Sequence, residues 1–75
     1  MLVTTSSNSS IETKKFALSY SKKENYYYLN RGKKTISELV FLAFHRGYSK
    51  IAVVSSGNKI DFISIISSTN WKWER

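Results

Sequence analysis

Residues 33–47 read KKTISELVFLAFHRG, and the way this stretch folds decides the rest. Thr35 with Glu38 three residues later makes a capping box. The threonine hydroxyl accepts from the amide of residue 38, and the glutamate carboxylate reaches back to the amide of residue 35. Ile36, Leu39, Val40, Ala43 and Phe44 recur at the spacing of one wide helical face. Gly47 stands where a left-handed C-terminal cap belongs. Arg46 brings a cation to the negative end of the helix dipole. The stretch therefore reads as a helix that follows two lysines and stops at a glycine. It carries more apolar residues than one stripe needs, because Phe41 and Leu42 flank the polar pair Glu38 and His45.

Downstream, Ile51-Ala52-Val53-Val54 is a continuous apolar run of the kind that forms a strand buried on both faces. Ser56-Gly57-Asn58-Lys59 reads as a tight hairpin with a two-residue turn, and residues 60–66 return as an antiparallel strand. In that strand Ile63 and Ile65 face away from Ile60, Phe62 and Ile66. Upstream, residues 26–29 (YYYL) read as an aromatic strand with at least one tyrosine outward, followed by the turn Asn30-Arg31-Gly32. Before it, Ser9 and Glu12 suggest a capping box, with a helix starting near Ser10. Its inward stripe is Thr13, Phe16, Ala17 and Tyr20, with Ile11 and Leu18 on the opposite side. Leu2-Val3-Thr4-Thr5 is a short first strand.

The order β-α-β-α-β-β predicts an α/β fold. Its sheet should be mostly parallel, joined by right-handed crossovers, with a C-terminal antiparallel hairpin strand. Residues 1–75 form a single small domain, and residues 67–75 read as a tail. There Trp71 and Trp73, with Lys72 between them, have the makings of a base-stacking pair, but are more readily expected to cover a sheet edge or a core opening.

A 75-residue chain buries only about 60% of its unfolded surface and benefits from a staple or a partner. With no cysteine there is no disulfide, and with a single histidine no metal site is expected. No cofactor motif is present: G-x-G-x-x-G, a P-loop and G-x-S-x-G are all missing. The five acids supply no acid–base pair: Glu12 and Glu38 serve as caps, Glu24 lies among lysines, Asp61 has no evident partner and Glu74 is in the tail. The chain is not expected to be an enzyme. No run approaches the roughly 20 apolar residues of a membrane span, and the N-terminus lacks the pattern of a signal peptide.

The charge points elsewhere. Twelve Lys and Arg against five Asp and Glu give +7, a potential that attracts polyanions. The cations cluster at Lys14-Lys15, Lys22-Lys23 and Arg31-Gly32-Lys33-Lys34. The last cluster leads into a helix N-terminus, where free amides, the dipole and lysine charge all favour phosphate. Gly32 lets a backbone approach closely. Residues 5–9 precede a second helix N-terminus with hydroxyl donors, although capping accounts for those serines equally well. The candidate nucleic-acid-binding residues are thus Arg31, Gly32, Lys33 and Lys34, then Lys14 and Lys15. The candidate interaction surface is Ile11, Leu18, Phe41 and Leu42.

Leu2-Val3-Thr4-Thr5-Ser6, followed by a polar loop and a helix with Lys14, Lys15 and Phe16, resembles the opening of the Brix domain. So do Tyr28-Leu29-Asn30-Arg31-Gly32-Lys33 before the second helix, and the helix–glycine–strand passage with Gly57-Asn58 beyond it. The resemblance covers residues 1 to about 66. It implies a non-catalytic protein of ribosome biogenesis and rRNA processing that binds ribosomal RNA mainly through phosphates. It also implies a fold like half of a Brix domain, related to the anticodon-binding domain of class II tRNA synthetases. Brix domains have two similar halves, archaeal members consist of little else, and this chain looks like the first half. The spare apolar faces would then meet a complementary half-domain, or a second copy in a homodimer. The implied location is the cytoplasm of an archaeal cell, or the nucleolus of a eukaryotic one. The family loop, roughly T-S-R-x-P-S-x-R-T-R, is not matched fully: this chain has Ser7, Ser9 and Glu12 there and no proline. Two alternatives fit the same order and charge: an Alba-like dimeric nucleic-acid-binding protein, and a protein-interaction subunit.

Overall fold

The computed structural model describes residues 1–74. The quoted stretch forms α2 (Ile36–His45), capped as its sequence requires. The amide of Thr35 donates to Glu38 Oε1 and the amide of Glu38 to Thr35 Oγ1, both at 3.2 Å. Gly47 ends it with φ +84. The other elements are β1 (Leu2–Thr5), α1 (Ile11–Glu24), β2 (Tyr27–Tyr28), β3 (Lys50–Ser55), β4 (Lys59–Ile65) and β5 (Trp71–Trp73). All five strands form one sheet in the order β2-β1-β3-β4-β5.

β1 pairs in parallel with β2 and with β3, while β3–β4 and β4–β5 are antiparallel. The sheet is therefore mixed rather than mostly parallel. Two features correct the expectation. β2 contributes only two residues, and the supposed tail folds back as β5, placing Trp71 opposite Ile65 and Trp73 opposite Ile63. Trp71-Lys72-Trp73 has the period of two that a strand needs. Trp71 packs on the core beside Ile65, so the expected covering of a sheet edge takes the form of a new edge strand. The β3–β4 connection has three residues, 56–58, between the paired Ser55 and Lys59. Gly57 and Asn58 both take positive φ there.

The core lies on both faces of the sheet, and side-chain alternation sorts it. Leu2, Ile51, Val53 and Ile63 face Leu39, Val40 and Ala43 of α2. Val3, Ala52 and Val54 face Ala17 of α1, with Phe16, Tyr20, Tyr26, Tyr28, Ile60 and Phe62 around them. Each helix thus covers one face, which is why β3 is apolar at every position from Ile51 to Val54. It also accounts for the two apolar sets on β4: Ile63 and Ile65 meet the α2 side, Ile60 and Phe62 the α1 side, and only Ile66 is left exposed.

Three local expectations change. The N-cap of α1 is Ser10, whose hydroxyl accepts from the amide of Thr13 at 3.2 Å. Ser9 instead donates its hydroxyl to the carbonyl of Ser6, so no Ser9–Glu12 box forms. The inward stripe of α1 extends to Ser21, buried and satisfied by donating to the carbonyl of Leu18 at 2.7 Å. Phe44 is exposed rather than inward, edge-on to His45, while Tyr48 packs on the α2-side core. The outward tyrosine of residues 26–28 is Tyr27, stacked on Tyr48 with the Arg46 guanidinium 4.8 Å from its ring centre.

Glu74 secures the β5 edge. Ser64 Oγ donates to its Oε2 at 2.6 Å, and Lys50 Nζ lies 3.1 Å from the same oxygen. The Ser64 hydrogen bond, with help from Lys50, holds the carboxyl below its ordinary 4.5. A depressed carboxyl contributes stability above its unfolded pKa, and that contribution fades as pH falls through the folded value. Glu74→Gln is therefore expected to lower the urea midpoint at pH 7. The gap from wild type should close in acid, below the ordinary glutamate range.

Candidate nucleic-acid interface at the strand ends

The sheet order reverses at β1. α1 carries the chain from β1 to β2 on one face, and α2 returns it to β3 on the other. Diverging connections of this kind leave a crevice at the carboxyl ends of the two central strands, where ligands of open α/β sheets sit. Here those ends are Thr5-Ser6 and Ser55-Ser56, joined by the Ser6 amide donating to the carbonyl of Val54 at 2.9 Å. The β1–α1 loop stands between two polar hollows. One, of about 140 Å³, is lined by Thr5, Ser6, Asn8, Ser9, Lys14, Arg31 and Gly32. The other, wider, is lined by residues 6–10 with Ser55, Ser56 and Lys59.

Arg31, the leading candidate in the sequence, has a structural task as well. It is only 9% exposed. Its Nε donates to the carbonyl of Lys34 at 2.8 Å and its Nη1 to the carbonyl of Thr5 at 3.1 Å. It thereby ties the β2–α2 connection to the end of β1. Nη2 makes no hydrogen bond among the described residues. Gly32 takes φ +54, a left-handed turn that glycine adopts without strain. The Lys34 amide closes that turn on the carbonyl of Arg31 at 3.1 Å.

The other candidates divide. Lys14 shares the smaller hollow with Arg31 and Gly32. Lys33 and Lys15 are exposed and outside that lining. Lys34 is half-buried, with Nζ 3.4 Å from the carbonyl of Asn30. Lys59, Ser55 and Ser56 join the site without having been singled out in the sequence. Their signal is that the two parallel strands β1 and β3 both end in hydroxyl residues.

Ile11, Leu18 and Phe41 are exposed, at 69%, 40% and 50%, and Leu42 is half-buried. They do not make one surface. Ile11 and Leu18 belong to the helix on one face of the sheet, Phe41 and Leu42 to the helix on the other. Phe41 and Leu42 line a mainly apolar groove with Ser37, Glu38, Ser68 and Thr69. Among the described residues no cluster of His, Asp and Glu could hold a metal ion, and no helix is long and apolar enough to cross a membrane.

Comparison with known proteins agrees with the resemblance to the Brix domain. No family model matches the chain. A probable Brix domain-containing ribosomal biogenesis protein of Thermococcus kodakarensis is 39% identical over 70 residues, covering 87% of this chain and 34% of that protein. Its counterpart in Pyrococcus horikoshii is also 39% identical over 70 residues, covering 31% of that protein. The chain is a homologue of the archaeal Brix-domain proteins.

Solved structures share the fold of this Brix-like chain. Mil, an archaeal Imp4-like protein, superposes with a TM-score of 0.73 at 32% identity, over 85% of this chain and 43% of its own. A probable ribosomal biogenesis protein from Aeropyrum pernix superposes with a TM-score of 0.79 at 25% identity, over 96% and 43%. The Brix-like chain thus spans about a third of the length of the curated relatives it matches.

Proposed function

We propose that this chain is a non-catalytic RNA-binding module of ribosome assembly. In this reading it contacts ribosomal RNA phosphates with the surface at the carboxyl ends of β1 and β3. The observation that carries the reading is convergence. Lys14, from α1, meets the adjacent Arg31 and Gly32 of the β2–α2 connection around one loop at the switch point of a sheet whose homologues are named ribosomal biogenesis proteins. Lys15 and Lys33, exposed sequence neighbours of Lys14 and Gly32, add further charge, and Lys59 lines the wider hollow from the β3–β4 hairpin. Phosphate contacts of this kind position a backbone without reading its sequence. The same reading assigns the groove at Phe41 and Leu42 to the remainder of a Brix-type domain, supplied by a complementary half or by a second copy.

The test is fluorescence anisotropy with a structured ribosomal RNA fragment and a length-matched DNA duplex, over a salt series. The expected result is tighter binding to RNA, weakening steeply with salt as counterions are released. Equal affinity for the two would favour the Alba-like alternative. Binding to neither would remove the nucleic-acid reading.

A further inference from the structure

We propose that the small hollow between the β1–α1 loop, Lys14 and Arg31 seats one phosphate group. The inference rests on the RNA-binding reading above and narrows it to a single seat. Four observations carry it. First, Arg31 is a buried cation with no carboxylate beside it: the ion pair found among the described residues joins Lys50 to Glu74. A buried charge without a counterion is costly. Two of its donors are fixed on carbonyls, which holds the guanidinium in one place, and Arg31 lines the hollow. Second, Thr5 lines the same hollow at 1% exposure, and its hydroxyl has no partner. Buried polar groups are rarely left so without a ligand or water to meet them.

Third, the lining carries two cationic residues and no carboxylate. Lys14 contributes an ammonium and Ser6 a hydroxyl, while the Ser9 hydroxyl is already donated to the Ser6 carbonyl. Glu12, the acid of the first turn of α1, does not line the hollow. Fourth, the size fits a group rather than a whole nucleotide. The volume of about 140 Å³ equals roughly four or five waters at about 30 Å³ each, below the roughly 300 Å³ at which small-molecule sites begin.

The test is a ¹⁵N NMR titration of the 75-residue chain with inorganic phosphate, and with acetate and chloride at matched ionic strength. Phosphate is expected to give saturable shifts at the Arg31 Nε–H and at the amides of residues 6–9. Lys14→Ala should weaken its apparent affinity at least threefold, and Lys22→Ala, at the far end of α1, should leave it unchanged. RNA oligomers with a 5′-phosphate or a 5′-hydroxyl then separate the sources. Equal shifts from both indicate a backbone phosphodiester, and a preference for the phosphorylated oligomer indicates a chain end. Acetate matching phosphate, shifts spread evenly over all lysine-bearing surfaces, or indifference to Lys14→Ala would overturn the seat. RNA binding that leaves Arg31 and residues 6–9 unmoved removes the seat and keeps the RNA reading. Phosphate seated here with no RNA bound does the reverse.

Discussion

Arg31→Ala is expected to destabilise the fold by about 3 kcal/mol, since hydrogen bonds from a charged donor contribute roughly 1.5–3 kcal/mol each. Two such bonds hold the carbonyls of Thr5 and Lys34. Alanine leaves both carbonyls to water or to nothing, and it releases the β2–α2 connection from the end of the central strand. A chain of this size has a total stability of roughly 4–11 kcal/mol at the usual 0.05–0.15 kcal/mol per residue, so the loss is a large share. Arg31→Lys should recover only part of it, because an ammonium is a point charge without the planar fork that reaches two carbonyls at once. Urea unfolding of the three proteins checks the order wild type, Lys, Ala. An unchanged midpoint in the alanine variant would mean that Arg31 is not a strut, and the buried position described here would be wrong.

Leu39→Ala should cost about as much, near 3 kcal/mol, by the cavity it leaves. Leu39 is fully buried in the layer between α2 and the sheet, with Leu2, Ile51 and Ile63 around it. The ten-residue helix has little freedom to collapse into the gap, since the capping box pins the N-terminus and Gly47 turns the chain at the other end. Phe41→Ala, two residues away and half exposed, should stay within about 0.5 kcal/mol of wild type in the isolated chain. The contrast between the two is the thermal or urea measurement that locates the true inward face of α2.

Much of this fold is legible in the residues. The Thr35–Glu38 box, the Gly47 stop and the alternating faces of β3 and β4 each follow from local chemistry, and each appears where its pattern requires. The errors have a common cause, which is that tertiary contacts chose among locally equal options. Ser9 and Ser10 are both good caps, and the bond from Ser9 to the Ser6 carbonyl leaves the role to Ser10. Phe44 and Tyr48 both suit the α2-side core, and Tyr48 is the one that packs there. Trp71-Lys72-Trp73 had the strand period, but its partner β4 lies across a five-residue turn that carries no hairpin signature. For the site, the sequence could group Arg31, Gly32 and Lys33 because they are adjacent. It could not bring Lys14 to them, bury Arg31, or add Lys59, since those depend on β1 lying between β2 and β3.

The central claim is that RNA phosphates meet the carboxyl ends of β1 and β3. The most direct test is the slope of log affinity for the ribosomal RNA fragment against log salt. It compares wild type with a Lys14→Ala/Lys33→Ala double variant and with a Lys22→Ala/Lys23→Ala control. Each lost phosphate contact flattens the slope by about 0.7–0.9. The account predicts a slope shallower by roughly 1.4–1.8 in the first variant and an unchanged slope in the control. The opposite pattern, an unchanged slope in the first and a flattened one in the control, would place RNA at the far end of α1 and contradict the account.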